Sequence, residues 1–196
     1  MMDETKIEEQ MKKIDAILGG VEREGMEAIR CWLMESDFYK APAASKKQYH
    51  CAYAGGLAEH SLNVYTKMLE WNTNDKLGFD PDSITIVGLF HDVCKANKYV
   101  PNILKTTGVQ SDAVPYKIND SFDFGHGEKS AYLLAILGFK MSKEEAMAIR
   151  YHMGPYDELG AWKINGKMNR LADLCFSADN YCSKLIENIP VDNKAV

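Results

Sequence analysis

Five histidines, His50, His60, His91, His126 and His152, are spread along a chain of 196 residues, and one of them directly precedes an aspartate, Asp92. Imidazole nitrogen and carboxylate oxygen are the ligands that borderline divalent metals take. His91 and Asp92 sit in the stretch ITIVGLFHDVC, 84–94, which is apolar almost all round. A carboxylate there is costly to bury unless it is paired or metal-bound. His60 falls inside an apolar-periodic stretch, His126 opens another, His152 falls near the end of a third, and Asp179 lies within the last. Ligands carried by five separate helices converge only in the core of a bundle. Neighbouring residues on a helix point about 100° apart. His91 and Asp92 would therefore hold one ion from two sides, or Asp92 would bridge two ions. Each histidine taken alone also reads as a hydrogen-bonded structural residue.

The elements that must position these residues are mainly helices. Ile7, Met11, Ile14, Ile17 and Leu18 give a helical stripe over about 5–18 that stops at Gly19-Gly20, and a second helix is expected over about 21–35. Pro42 and its small neighbours make 37–49 a loop. A helix is predicted from Gly55-Gly56 to about Trp71, and Asp80-Pro81 is a cap followed by proline at the first helical position. Residues 96–125 hold Pro101, Gly108, Pro115 and Gly125 with strand-like pieces such as Val114 to Ile118, a long irregular excursion of the kind often used as a lid. A helix follows from His126 to about Leu137, and Ser142-x-x-Glu145 is a capping box for the helix carrying Ile149 and His152. The last helix is expected over about 167–188. The expected fold is all-α, about seven helices in one domain over 1–196, with N-terminal helices at 1–36 and a metal-site core at 41–189.

Composition narrows the classes. With 23 Lys and Arg against 28 Asp and Glu the formal charge is −5, which argues against a protein that coats DNA. The longest apolar runs, such as Ile84 to Phe90, fall far short of the ~20 residues that span a bilayer. The acidic start MMDETKIEEQ lacks the pattern of a signal peptide. Cys31, Cys51, Cys94, Cys175 and Cys182 are odd in number and form no CxxC, so they read as reduced thiols in a cytoplasm, each a small core or surface residue.

These residues carry a resemblance. GLFHDVCK, 88–95, looks like the His-Asp-x-x-Lys signature of the HD-domain metal-dependent phosphohydrolases, and GGLAEHSLNV, 55–64, resembles that family's first histidine motif. GHGEKSAYLL, 125–134, and IRYHMG, 149–154, resemble the two additional histidine motifs of its dinuclear branch, and ADNYCSK, 178–184, resembles the closing aspartate motif. The segment 41–64, APAASKKQYHCAYAGGLAEHSLNV, looks most like the HD domain of YhaM-type 3′–5′ exoribonucleases. The resemblance implies an HD-domain helical bundle in which His60, His91, Asp92 and Asp179 hold one metal. Asp92 would bridge to a second metal held by His126 and His152. It implies attack of a metal-activated water on phosphorus, since two ions about 3.5–4 Å apart lower the pKa of a bridging water and neutralise phosphate oxygens. The nitrogen-rich set favours Mn²⁺, Fe²⁺, Co²⁺, Ni²⁺ or Zn²⁺ over Mg²⁺.

The resemblance also implies that Lys95, catalytic alongside Asp92, contacts phosphate and stabilises developing charge, against its reading as an exposed helix-end lysine. His50 would bind substrate or protonate a leaving oxygen, or be structural. Lys129, one turn after His126, either faces substrate or is structural, and Arg150 points elsewhere. Tyr99, Tyr116, Phe122, Phe124, Tyr156 and Trp162 either pack the excursion onto the bundle or stack on a base.

Two departures refine the expectation. The run His152-Met153-Gly154-Pro155-Tyr156 has neither the second histidine nor the Gly-Tyr-Pro of HD-GYP cyclic-di-GMP phosphodiesterases. YhaM-type enzymes carry an OB-fold for single strands, for which this length leaves no room. The expected activity is therefore hydrolysis of a nucleotide or other small phosphoester. The alternatives are an exonuclease on short RNA or DNA and a nucleotide-sensing HD module with little catalysis.

Overall fold

In the computed structural model, residues 3–122, 124–157 and 168–187 are described. Asp3 accepts a hydrogen bond from the Lys6 amide at 2.8 Å and starts helix α1, Glu4–Leu18, which buries Ile14 and Leu18. Helix α2, Met26–Glu35, begins five residues later than its periodicity predicts. Gly25 takes a left-handed conformation with φ +86° and interrupts the helix that the apolar spacing would otherwise extend.

Helix α3, Gly56–Asn74, lies against α4, Pro81–Phe90. Asp80 caps α4 by accepting from the Ser83 amide at 3.1 Å, with Pro81 at the first helical position. Every residue from Ile84 to Phe90 is buried, as its all-round apolar pattern demands. Gly88 lets the two helices approach: a Cβ there would lie 2.6 Å from Tyr65 Cα. Helix α4 ends at Phe90, His91 caps it, and Asp92 leaves helical geometry with φ −110° and ψ 16°. A 3-10 turn, Val93–Lys95, follows.

The excursion contains the only sheet among the described residues, β1 (Tyr99–Pro101) antiparallel to β2 (Tyr116–Ile118), with Tyr99 opposite Ile118. It is hydrogen-bonded onto the loop before α3. Lys47 donates its amide to the Ala113 carbonyl at 3.1 Å, and the Tyr116 amide donates to Ser45 at 3.2 Å. Helix α5, His126–Ile136, packs on α6, Lys143–Tyr151, which opens with the expected capping box between Ser142 and Glu145. Helix α7, Arg170–Tyr181, gives way to a π-helical turn, Cys182–Ile186.

Among the described residues the fold is thus seven α-helices with a small two-stranded sheet, and one buried apolar cluster runs from Ile14 to Cys182. A buried carboxylate ties distant segments to it. Glu145 receives both Arg23 guanidinium nitrogens at 3.0 and 3.1 Å, the Ser83 hydroxyl at 2.7 Å and the Ser142 amide at 2.7 Å. Among the described residues no helix is long and apolar enough to cross a membrane.

Candidate metal centre

The fold gathers four helix-borne or helix-end side chains around Asp92. His60 lies in the middle of α3, His91 caps α4, His152 caps α6 and Asp179 lies in the last turn of α7. His60, His91, Asp92 and His152 are buried, with Asp92 only 2 % exposed. His60 Nε2 stands 3.2 Å from His91 Nε2, 3.3 Å from Asp179 Oδ1 and 3.6 Å from Asp92 Oδ2. His91 Nε2 is also 3.6 Å from Asp92 Oδ2. On the other side of the carboxylate, His152 Nε2 lies 3.5 Å from Asp92 Oδ1.

The backbone decides which nitrogen each ring offers. His91 Nδ1 donates to the Gly88 carbonyl at 3.0 Å and His152 Nδ1 to the Ile149 carbonyl at 2.7 Å. His60 Nδ1 donates to the Glu187 carboxylate, with its oxygens at 2.9 and 3.2 Å. A ring that donates from Nδ1 in its neutral form carries a lone pair on Nε2. Three Nε2 lone pairs and three carboxylate oxygens therefore face one another. Asp92 Oδ1 and His152 Nε2 are buried with no hydrogen-bond partner. Such a meeting of acceptors is stable only with a cation inside it, a proton or a metal. Separations of 3.2–3.6 Å suit ligands sharing an ion, since metal–nitrogen and metal–oxygen bonds of about 2.0–2.2 Å place neighbouring ligands about 3–3.5 Å apart.

In the metal-free protein His60 and His152 hold a proton more readily than a free imidazole, and His91 less readily. Burial pushes the His60 imidazole down, but Asp179 and Glu187 outweigh it and hold it up at about 10. Burial likewise opposes protonation of His152, and Asp92 raises it. His91 is pushed down to about 4 by burial. Burial acts to raise the Asp92 carboxyl, yet Lys95 and His152 keep it well below the ordinary carboxylate range. Asp92, His60 and His91 form one group able to hold a metal ion, and Asp92, Cys94 and His126 form another.

Lys95 reaches Asp92 by a route the helical spacing does not give. The helix does not persist to Lys95, and the 3-10 turn brings its buried ammonium 2.6 Å from Asp92 Oδ2. It is not an exposed helix-end lysine. His126 opens α5 as expected and lies beside Cys94, with Nδ1 at 3.9 Å from Sγ. His50 stacks on His60 at a ring separation of 4.5 Å, and its buried Nε2 has no partner. Burial, then His60 and Lys95, push His50 down to about 3. A neutral ring at that position fits a hydrogen-bonding contact better than a proton donor.

A cavity of about 750 Å³ opens on Asp92, Lys95, His126 and Asp179. His50, Tyr99, Phe122, Phe124 and Tyr156 line it, so four of the six aromatic residues singled out by sequence face the site. Tyr116 is not among its lining residues, and Trp162 lies outside the described residues. Lys129 is also not in the lining, because its ammonium pairs with Asp120 and rests over the Phe122 ring. Arg150 points away, paired with Glu128 and, at 2.6 Å, with Asp157.

Sequence reasoning missed Glu187 and its partner Asn63, which donates to Glu187 Oε1 at 2.8 Å. Glu187 follows the π-helical turn, so no regular period links it to Asp179. It also missed Tyr49, Phe176, Lys98 and Lys184 in the cavity wall, and Cys94, which it read only as a small core or surface residue. Comparison of the chain with protein-family models, with curated proteins and with solved structures returned no match.

Proposed function

We propose that this chain is a metal-dependent phosphohydrolase of the HD type, acting on a nucleotide or another small phosphoester. The observation that carries the reading is the placement of Asp92. One carboxylate oxygen faces His60 and His91, and the other faces His152. That is the disposition of a bridging ligand between two ions. His60, His91, Asp92 and Asp179 would hold one divalent ion, and Asp92, His126 and His152 would help hold a second. The ligand chemistry favours Mn, Fe, Co, Ni or Zn over Mg. When bound, two such ions activate a water as nucleophile and draw charge from phosphate oxygens.

The chain's own residues supply the remaining parts. Lys95, buried against Asp92 and lining the cavity, stabilises negative charge on a phosphate oxygen. His50 hydrogen-bonds substrate from the cavity wall. Tyr99, Phe122, Phe124 and Tyr156 offer ring faces to a base. Lys98 and Lys184 add positive charge at the same cavity. The five free cysteines agree with a reducing, cytoplasmic setting.

The test joins elemental metal analysis to a phosphate-release screen. Nucleotides, small phosphomonoesters and short labelled oligonucleotides are offered with Mn²⁺, Co²⁺ or Zn²⁺. Turnover lost in Asp92→Ala is expected, and product length separates small esters from oligonucleotides. Fewer than about one held metal per chain, with any turnover unchanged in Asp92→Ala, sinks the reading.

A further inference from the structure

Cys94 is buried, sits on the turn between Asp92 and Lys95, and is fixed by its own amide, which donates to Ser130 Oγ at 3.3 Å. Its sulfur faces His126 Nδ1 at 3.9 Å, and ligand atoms of Asp92, Cys94 and His126 all lie within 4.8 Å of one another. His126 differs from its three counterparts. His60, His91 and His152 commit Nδ1 to an oxygen acceptor, whereas the neighbour of His126 Nδ1 is a thiol. The third member, Asp92, offers a carboxylate oxygen, and its Oδ1 is buried without a hydrogen-bond partner. A sulfur, a nitrogen and an oxygen thus lie close enough to share one ion beside the cavity.

We infer that Cys94 is a ligand of the second ion, so that this position takes a thiophilic divalent metal such as Zn²⁺ or Co²⁺ through Asp92, Cys94 and His126. The inference rests on the metal-centre reading above and adds the sulfur to it. Metal–sulfur bonds of about 2.3 Å and metal–nitrogen bonds of about 2.0 Å span the Cys94–His126 separation with an open ligand angle. Binding breaks the S–H bond, forms the metal–sulfur bond and releases one proton to solvent. A thiolate is a poor ligand for Mg²⁺ and a good one for Zn²⁺. The position thereby discriminates between ions by chemistry, whereas an all-nitrogen-and-oxygen site relies on geometry.

The experiment loads the full chain, stripped by chelation, with Co²⁺ and records its absorption spectrum. The expected result is a strong near-ultraviolet sulfur-to-cobalt charge-transfer band in addition to the weaker visible bands. The charge-transfer band disappears in Cys94→Ser and Cys94→Ala and persists when Cys51, Cys175 or Cys182 is replaced. X-ray absorption at the zinc edge of the wild-type protein shows a sulfur shell at about 2.3 Å, averaging about half a sulfur per zinc when both positions are filled, a readout that needs no variant to fold. Zn²⁺ affinity falls at least about tenfold in Cys94→Ser. Cobalt bound with visible bands but no charge-transfer band, or a zinc shell of nitrogen and oxygen alone, overturns the sulfur ligand and leaves the metal centre standing. No bound cobalt or zinc at all overturns both.

Discussion

Replacing Glu187 by glutamine tests how the centre is held, because Glu187 touches a proposed ligand, His60, from behind. Its carboxylate accepts from His60 Nδ1 at 2.9 Å, is 2 % exposed, and is pinned by Asn63 at 2.8 Å. A carboxylate behind a metal-binding imidazole raises its basicity and fixes its orientation. Losing such a partner costs about 10–100-fold in metal affinity, or about 1.4–3 kcal/mol. A second effect opposes the first. The same carboxylate helps hold a proton on His60, whose value stands at about 10. Displacing that proton at about pH 7.5 costs the incoming metal on the order of 3 kcal/mol. The variant relieves part of this competition. A divalent ion gains more from the carboxylate than a proton does, so the net loss at about pH 7.5 stays near the low end, about tenfold.

The sign can be followed with pH. His60 is raised, so its proton stabilises the metal-free fold fully below the ordinary imidazole value of about 6.5, and the contribution is lost as pH rises through about 10. Within that window the His60 proton alone makes the logarithm of the wild-type metal affinity rise by about one per pH unit. In Glu187→Gln the rise is shallower, since the proton leaves His60 more readily. Glutamine still accepts from Nδ1, so Glu187→Ala, which removes the hydrogen bond as well, loses more. Calorimetric or competition titrations with Zn²⁺ between about pH 6.5 and pH 8.5 measure both quantities. Affinities within about twofold of wild type, with an unchanged slope, would refute the reasoning.

Other perturbations have equally definite outcomes. Lys95→Ala keeps its metal by elemental analysis but loses about 10²–10³ in phosphoester turnover, the scale of a lost charge-stabilising group. Chelation lowers the melting temperature, because metal at about a hundred times its Kd adds about 2.7 kcal/mol, or roughly 5–10 °C for a chain this size by calorimetry. Glu145→Ala strands Arg23 and removes acceptors from Ser83 and Ser142, so denaturant unfolding shows a loss of about 3–5 kcal/mol. Gly127→Ala drives a methyl into the Arg150 backbone. It costs about 1–3 kcal/mol in denaturant unfolding and lowers bound metal by elemental analysis, because His126 is its neighbour.

The clustered histidines were legible because of what surrounds them. His60, His91 and Asp92 interrupt runs that are otherwise apolar, and polar groups survive there only with a partner, as their burial bears out. Helix starts were legible where caps are local, at Asp80 and Ser142. The start of α2 was not, because apolar spacing continues through Gly25 while its backbone turns left-handed. The contact of Lys95 with Asp92 depends on the 3-10 turn that follows the helix, which ends at Phe90, and no helical period announces it. Lys129 was read from its turn relative to His126, which says nothing of Asp120 waiting to pair with it. Glu187 left no trace, since its role depends on a π-helical turn and on a contact across the whole bundle.

That contact joins residues 127 positions apart in the chain. Seen as topology, α3 and the end of the π-helical turn after α7 form a clasp that closes most of the polypeptide into a ring. A closure over roughly 100 residues removes chain entropy worth about 4–5 kcal/mol when made covalent, and a filled centre would act as its reversible counterpart. Closing so long a loop belongs late in folding. Once closed, the exposed tip of the excursion near Val109 is a place where the backbone could be cut while the two pieces stay locked together through the centre.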